Sequence, residues 1–345
     1  STKEVTAPYT IANPKAGAEY LLLIEYKLKN NEVYARKGYV QGSEQFTIDV
    51  KGTDKLLALK DMPNVATADN ANEVTITGTT KEGKEFKVVV DKKTGLMKTY
   101  QADGRDLITK APVGSFFRAE PDQNAAVNGT GWAKGNGEAY DAWCDQGENM
   151  KDVSVTVKSV VPQMTTVSVN AKLRNDSGYA TSYSVYGNGT VVVTAKLTPS
   201  ASAPDQLGEY GMWMQAPKEF ENLTWYGRGP AETYWNRKAG NMIKVWGEEE
   251  KTTVEEQFVP YLRIQEAGNK TDVRWIALRD DTGAGLLAGM TYGEGYTGNA
   301  LEAVALHYTA KELSTRQSGH WYPYQAEATE DINLRLLTHQ KGVGN

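Results

Sequence analysis

The clearest pattern in this chain is a period of two between residues 151 and 198, where apolar side chains alternate with Lys, Ser, Thr and Asn. The apolar positions are Val153, Val155, Val157, Val167, Val169, Ala171, Leu173, Tyr183, Val185, Val191, Val193, Ala195 and Leu197. Successive side chains of a strand point to opposite faces of its sheet, so this alternation predicts strands with one buried face. We expect them to form large antiparallel sheets.

The remaining segments also favour strands. Residues 1–50 contain two apolar runs, beginning at Tyr20 and at Glu44, and predict about three strands. Residues 73–110 predict a meander, and the turn residues 280–283 predict a hairpin. A single short helix is expected after Thr309, because Glu312 three positions later completes a capping-box pattern. The predicted fold class is all-β.

Composition excludes several classes of function. The formal net charge of the 345 residues is −5, whereas a nucleic-acid-binding surface needs a basic stripe, so we expect no nucleic-acid partner. Apolar runs stay well short of the roughly 18 residues that cross a bilayer, and no membrane partner is expected. The single cysteine, Cys144, excludes an internal disulfide and a metal site built from several cysteines.

Five segments, taken in chain order, resemble one known family. They are Phe116-Phe-Arg-Ala-Glu-Pro-Asp, Trp225-Tyr-Gly-Arg-Gly-Pro-Ala-Glu-Thr-Tyr, Pro260-Tyr-Leu-Arg-Ile-Gln-Glu-Ala-Gly with Arg274-Trp275 shortly after it, His307-Tyr-Thr, and Gln340-Lys-Gly-Val-Gly. Together they resemble the C-terminal "small chain" region of β-galactosidases of glycoside hydrolase family two. Phe117 stands where the family has Trp, and Glu120-Pro121 stands where it has Pro-Thr, so the local loop is expected to differ.

The resemblance implies a domain organisation. Residues 61–345 are expected to form a large antiparallel β-supersandwich of the galactose-mutarotase type, truncated at its C-terminus. Residues 1–60 are expected to be the C-terminal part of an immunoglobulin-like β-sandwich, because Gly17-Ala-Glu-Tyr and Glu44-Gln-Phe match that part of the family.

The resemblance also implies where the chemistry lies. Retaining glycosidases need two carboxylates about 5 Å apart, and in this family both come from a (β/α)₈ barrel. This chain lacks the alternation of strand and helix that such a barrel requires. The Asn-Glu pairs at 31–32 and 72–73 lack that setting, so no catalytic residue is expected here. The catalytic glutamates and the magnesium that the family uses are expected in a separate N-terminal catalytic part, and no cofactor is expected in this chain.

Candidate substrate contacts remain. They are charged or titratable side chains with aromatic neighbours in sequence, a combination that suits both the binding of polyhydroxylated ligands and internal ion pairs. They are Arg118, Arg228, Glu232, Glu266, Arg274 and His307. Arg228 and Glu232, and Glu266 with Arg274, are interpreted more readily as internal ion pairs than as ligand contacts. His307 is interpreted as a structural residue, a sugar contact or a general acid–base, whereas His320 and His339 are interpreted mainly as structural. A cation at Asp122 is a further hypothesis, without the spacing of a calcium loop.

Three functions follow. The first is the non-catalytic C-terminal portion of a retaining β-galactosidase, with galactose-containing oligosaccharides, the enzyme's own N-terminal part and further copies of the enzyme as partners. The second is a stand-alone carbohydrate-binding module with a sugar on Trp132, Trp143 or Trp225. The third is a sugar 1-epimerase, which needs a His–Glu pair such as one built on His307. The compartment and the natural galactoside stay open.

Overall fold

A computed structural model describes residues 4, 6, 8–15, 18–48, 58–121, 143–204, 206–261, 264–289, 300–314 and 326–343. The chain divides into two compact units, Ser1–Ala58 and Leu59–Asn345. The first unit contains an antiparallel hairpin of Tyr20–Lys27 (β1) and Val40–Ile48 (β2). Its described residues therefore form two strands rather than about three. The immunoglobulin-like assignment of this unit stays a prediction.

The second unit is built almost entirely from strands, which confirms the all-β prediction. In chain order they are Val65–Asp69 (β3), Glu73–Thr79 (β4), Glu85–Asp91 (β5), Met97–Ala102 (β6), Arg105–Asp106 (β7), Lys110–Ser115 (β8), Lys151–Val161 (β9), Met164–Lys172 (β10), Gly178–Tyr186 (β11), Val191–Thr198 (β12), Glu209–Ala216 (β13), Asn222–Gly229 (β14), Met242–Trp246 (β15), Thr252–Thr253 (β16), Lys270–Val273 (β17), Trp275–Arg279 (β18), Gly285–Gly289 (β19), Leu301–Leu306 (β20) and Ile332–Gln340 (β21).

Helical structure in the described ranges is limited to short turns. The α-helix Ala310–Leu313 (α1) begins after Thr309, whose side chain accepts the backbone N–H of Glu312, as the capping pattern predicts. Leu59–Asp61 and Glu255–Gln257 are single turns of 3₁₀-helix. Among these described helices, none has the length and apolar character needed to cross a membrane.

The described strands of the second unit form four antiparallel sheets. Sheet A has the order β3-β4-β5-β6-β7 and sheet B the order β12-β11-β10-β9. Sheet C has the order β15-β14-β18-β19, with β16 also paired to β14, and sheet D has the order β17-β20-β21-β13-β8. The hairpin predicted around residues 280–283 joins β18 to β19. The small antiparallel sheets agree with an all-β sandwich.

The period of two is what places the core. In β10 and β11 alternate residues are buried, and Val167 lies opposite both Tyr183 and Val157 in the sheet. One apolar cluster joins all four sheets, with Ile76 from sheet A, Val167 from sheet B, Leu278 from sheet C and Leu334 from sheet D all 0% exposed. The predicted inward faces of these strands are therefore confirmed.

Sheet D also buries charge. Arg335 on β21 is 4% exposed, and its guanidinium forms ion pairs with Glu209 on β13 and with Glu266, which precedes β17. Ser115 donates its hydroxyl to Glu209 from β8 on the other side. Burial is the largest influence on the pKa of Glu209, and the Glu266 carboxylate acts in the same direction; together they outweigh Arg335, Ser115 and Arg118 and raise that pKa to about 7. Two carboxylates thus share one guanidinium away from water.

The contact between sheets A and B generates a paired prediction on glycines. Gly95 and Gly83 both have positive φ, but a Cβ on Gly95 would lie 2.5 Å from Val169 Cγ1, whereas a Cβ on Gly83 meets nothing within 4 Å. Gly83→Ala should lower the free energy of unfolding by about 1 kcal/mol through backbone strain alone. Gly95→Ala should cost about 1–3 kcal/mol more, because the extra methyl overpacks the interface. Equal losses in urea denaturation would contradict this packing.

The buried carboxylate generates a prediction on pH. Glu209 has a folded-state pKa of about 7 against 4.5 for the ordinary side chain, so the folded state holds a proton that the unfolded chain releases. That stabilisation is complete below the unfolded pKa and is lost as the pH rises through about 7, by about 3 kcal/mol in all. Glu209→Gln mimics the protonated form and should remove this slope.

The measurement is urea denaturation of the wild type and of Glu209→Gln at several pH values from about 4.5 to 7.5. The exposed Glu85→Gln is the matched control and should follow the wild type, because Glu85 lies on the solvent side of β5. Parallel pH dependence in all three proteins would show that Glu209 titrates normally.

Candidate functional site

Two of the candidate residues, Glu232 and Glu266, lie on segments that connect strands of the second unit. The first leaves β14 at Gly229 and returns to β15 at Met242, and the second, residues 264–269, leads into β17. A tight turn in the first segment is closed by two backbone hydrogen bonds between Tyr234 and Arg237, of 3.2 and 2.8 Å. The two segments meet at Glu232.

Glu232 is a buried acceptor that ties these segments together. The side chain is 5% exposed, and its Oε2 accepts the backbone N–H of Gly268 at 2.9 Å. Its Oε1 accepts the hydroxyl of Tyr261 and lies 3.3 Å from Nη1 of Arg237. Both oxygens are therefore used within the protein, and the ion pair is with Arg237 rather than Arg228.

Arg228 and Arg274 both bind Asp272. Arg228 forms an ion pair with the Asp272 carboxylate, and Arg274 donates to the backbone oxygen of Asp272 at 2.6 Å while its guanidinium lies over the Tyr226 ring. Burial opposes ionisation of Asp272, but hydrogen bonds from Arg228 and Lys238 outweigh it, so the pKa of Asp272 is lowered. An ion pair was predicted for Arg228, and its partner is Asp272.

Glu266 and Arg118 occupy the interior beside sheet D. Glu266 is 2% exposed and pairs through Oε1 with Arg335, so the expected pairing with Arg274 is replaced by one with a residue of β21. Its Oε2 is buried and has no hydrogen-bond partner in the described part of the chain. Arg118, 1% exposed, donates to Gln340 Oε1 at 3.0 Å and to the Gly342 oxygen at 2.9 Å.

Tyr234 marks where three of the candidates converge. Burial raises the pKa of Tyr234 well above its usual value, the carboxylates of Glu266 and Glu232 raise it further, and Arg118 acts in the opposite direction. The Tyr234 hydroxyl also donates to Glu232 Oε2 at 3.4 Å, so Arg118, Glu232 and Glu266 act electrostatically on one phenol and Glu232 contacts it directly. Arg228 and Arg274 form a second group at Asp272.

His307 belongs to neither group. Its Nε2 lies 2.9 Å from Glu221 Oε2, and its Nδ1 lies 3.2 Å from the oxygen of Thr329. The structure thus contains a His–Glu pair of the kind an epimerase needs, but both ring nitrogens are already engaged. A general acid–base needs a nitrogen within reach of the substrate's proton, and this arrangement offers none in its present state. The geometry fits the structural interpretation of His307.

The predicted aromatic platforms are wrong for two of the three residues. Trp143 and Trp225 are each 1% exposed, so neither ring can stack on a sugar. Trp225 points inward from β14 and stacks against Trp246 with ring centroids 6.3 Å apart. Trp132, Asp122 and His320 lie outside the described residues. His339 pairs through Nδ1 with Glu302 at 3.2 Å.

Sequence reasoning missed two buried charges. Lys270 on β17 is 3% exposed, and its Nζ donates to the Pro230 oxygen at 3.3 Å; burial lowers its pKa to about 8. Arg335 is the other, and its setting in the apolar run Ile332-Asn-Leu-Arg-Leu-Leu is a signal that was available. A charged residue inside such a run is expected to find a buried partner.

The chemistry of this region is that of hydrogen bonding rather than of reactive carboxylates. Glu209 and Glu266 share the Arg335 guanidinium, and both of these carboxylate side chains are 0% exposed. Across the described ranges, no group of three His, Cys, Asp or Glu residues is placed to hold a metal ion.

Comparison with known proteins places this region in a family. The family model described as "Beta galactosidase small chain" matches residues 82–345. A β-galactosidase of Priestia megaterium is 31% identical over 99% of this chain and 30% of its own length. One from Lactobacillus delbrueckii subsp. bulgaricus is 30% identical over 76% of this chain and 24% of its own length.

A third relative agrees. The β-galactosidase of Streptococcus thermophilus is 25% identical over 99% of this chain and 30% of its own length. The chain thus spans less than a third of the length of these curated relatives, between 24% and 30%. The match of the family model over most of the chain confirms the resemblance read from the five sequence segments. The chain belongs to the β-galactosidase small-chain family.

Proposed function

We propose that this chain is the C-terminal, non-catalytic portion of a β-galactosidase that hydrolyses terminal β-D-galactosides with retention. In this proposal the portion supports a catalytic barrel carried by an N-terminal part, helps to wall the substrate pocket, and contributes to assembly of an oligomer. The glutamates and magnesium of the reaction belong to that N-terminal part. The substrate is a galactose-containing oligosaccharide.

One observation carries the proposal. An alignment over 99% of this chain accounts for only 30% of the length of a relative named β-galactosidase. Most of such a relative therefore lies outside the matched region, and that unmatched part is long enough to contain a catalytic domain. A match of this extent supports a structural contribution to the same enzyme.

The state of the carboxylates supports a non-catalytic role. Retention requires a nucleophile and an acid–base that both reach the anomeric centre from about 5 Å apart. Glu209 and Glu266 are locked on Arg335 without exposure, and Glu232 accepts hydrogen bonds on both oxygens. Glu73, from one of the Asn-Glu pairs, is bound 2.6 Å from Lys98. Each of these groups is used to hold the fold.

The bonded segments around Glu232 support the pocket-wall role. Residues 229–242 form a long excursion between β14 and β15, and Glu232 fixes it to Tyr261 and to Gly268. Binding and catalytic contacts are often made by loops that a rigid sheet positions, and this excursion has that character.

The test is hydrolysis of a chromogenic β-galactoside by this chain, by the N-terminal catalytic part, and by their equimolar mixture. We expect no turnover above the buffer rate from this chain alone, because its buried carboxylates Glu209, Glu232 and Glu266 are engaged in internal bonds. The mixture should hydrolyse the substrate at least tenfold faster than the N-terminal part alone.

Two outcomes would contradict the proposal. Turnover by this chain alone would place a catalytic pair within it, and the search would begin at Glu232 and Glu266. An N-terminal part that is fully active without this chain would remove the supporting role.

Gly83→Ala, which keeps the fold and lies at an open turn, is the control variant and should restore activity as well as the wild type.

A further inference from the structure

An exposed tryptophan stands at the tip of the turn that Glu232 anchors. Trp235 is 44% exposed, whereas the other tryptophans in the described ranges are buried or half-buried. A large apolar ring facing water is the kind of surface feature that marks a binding site when its surroundings are built for one. The surroundings of Trp235 meet that condition.

The ring is held in place by the backbone on both sides. Tyr234 and Arg237 close the turn with two backbone hydrogen bonds, and Tyr234 is 1% exposed. The Asn236 side chain forms two hydrogen bonds with the backbone of Val343. Its Nδ2 donates to the Val343 oxygen at 2.6 Å, and its Oδ1 accepts the Val343 N–H at 3.0 Å. A ligand that binds this ring therefore meets a preorganised surface and loses little free energy in ordering it.

The C-terminal segment approaches the ring closely. A Cβ on Gly342 would lie 2.6 Å from Trp235 Nε1, so a glycine is required for this contact. The ring of His339, with its side chain 62% exposed, lies with its centroid 6.1 Å from that of Trp235. One side of the indole is thus backed by β21 and the residues that follow it.

A cavity opens beside the ring. It is lined by residues 235–241 and has a volume of about 500 Å³, within the usual range of small-molecule sites. Arg237 lies in this lining with 57% of its side chain exposed. The Asn241 carboxamide also lies there, and in the described part of the chain it makes no hydrogen bond. The cavity therefore offers one aromatic face and polar groups at its edge.

Charge at the site favours a neutral ligand. The two cations of the lining are already paired, Arg237 with Glu232 and Lys238 with Asp272. A phosphate or carboxylate ligand would have to compete with these internal anions. A neutral polyhydroxylated ring needs only hydrogen bonds and an apolar face to stack on, and both are present.

The size of the apolar surface disfavours a protein partner. A stable protein interface buries about 800 Å² on each side, with a cluster of apolar anchors. In the described part of this unit, the other exposed large apolar side chains are Val160, Val245 and Leu287, single residues on β9, β15 and β19. A lone indole beside a small cavity matches the footprint of a sugar ring better.

We propose that Trp235 and the cavity of residues 235–241 bind one ring of a neutral oligosaccharide. The apolar face of the sugar stacks on the indole, and its hydroxyl groups bond with Arg237 and Asn241. The choice of a galactoside rests on the proposed function. Its axial hydroxyl at C4 leaves the opposite face of the ring as a continuous C–H surface, and this face suits the indole. Binding of a neutral sugar ring as such stands without the proposed function.

The experiment titrates the purified chain with lactose and follows the indole N–H signals by NMR. We expect saturable binding with a Kd in the millimolar range, about what a single stacked ring supplies. Trp235→Ala should weaken binding at least tenfold, whereas Trp235→Tyr, which keeps an aromatic face, should stay within about threefold of the wild type. Tyr39→Ala, which removes an exposed ring elsewhere (57% exposed), is the matched control and should bind normally.

The other outcomes are decisive as well. Absence of saturable binding, or unchanged binding by a folded Trp235→Ala variant, would overturn the proposal. Maltose binding as tightly as lactose would overturn the choice of a galactoside. If Trp235→Ala weakens association with the N-terminal part but not with lactose, the ring is a protein contact instead. Hydrolysis by the mixed parts reports on the proposed function separately, because sugar binding needs this chain alone.

Discussion

The arrangement of charged residues in this chain depends on one buried guanidinium. Arg335 holds Glu209 from the neighbouring strand β13 and Glu266 from the segment before β17. Removing one partner of such a buried set costs about 3–5 kcal/mol, since the remaining charges lose both water and counter-charge. Fixing Glu266 fixes residues 264–268, and the N–H of Gly268 then meets Glu232. A chain of bonds thus runs from the middle of sheet D to the turn at Tyr234.

That chain of bonds occupies most of the carboxylate oxygens of Glu209, Glu232 and Glu266. A catalytic carboxylate must exchange a proton or attack a carbon, and both actions require a free oxygen that faces the substrate. Glu232 has two occupied oxygens, and the single unpartnered oxygen of Glu266 is buried. Two polar atoms near this network, Asn269 Oδ1 and Gln340 Nε2, are also buried and have no hydrogen-bond partner in the described residues. The hydrogen bonding of the network is therefore incomplete. Buried polar atoms without partners lower the stability of the fold, a cost that a purely apolar core would avoid.

Local physics made much of the fold predictable. Alternation in β9–β12 predicted the inward faces because the period of a strand is two wherever the strand lies. Thr309 and Glu312 predicted a helix start because a cap acts within one turn. The partners of the charged residues were not predictable in this way. Arg228 meets Asp272, and Glu266 meets Arg335, across separations that only the sheet order sets. The burial of the Trp225 ring was not predictable from its sequence neighbours either, because it depends on the face of β14 on which the ring lies.

Trp225 and Trp235 show how position decides the use of one residue type. Trp225 begins a segment that resembles the family and Trp235 directly follows that segment, ten residues later; both have aromatic and charged neighbours in sequence. Trp225 lies within β14, where it stacks on Trp246 and donates its indole N–H to the Arg228 oxygen at 3.0 Å. Trp235 occupies the tip of a turn that is closed by backbone hydrogen bonds between Tyr234 and Arg237, and its side chain faces solvent there. The strand places the first ring among apolar side chains, and the turn presents the second to solvent. The ionic network thus acts on the surface through the backbone: by holding Glu232, it fixes the turn that keeps Trp235 exposed.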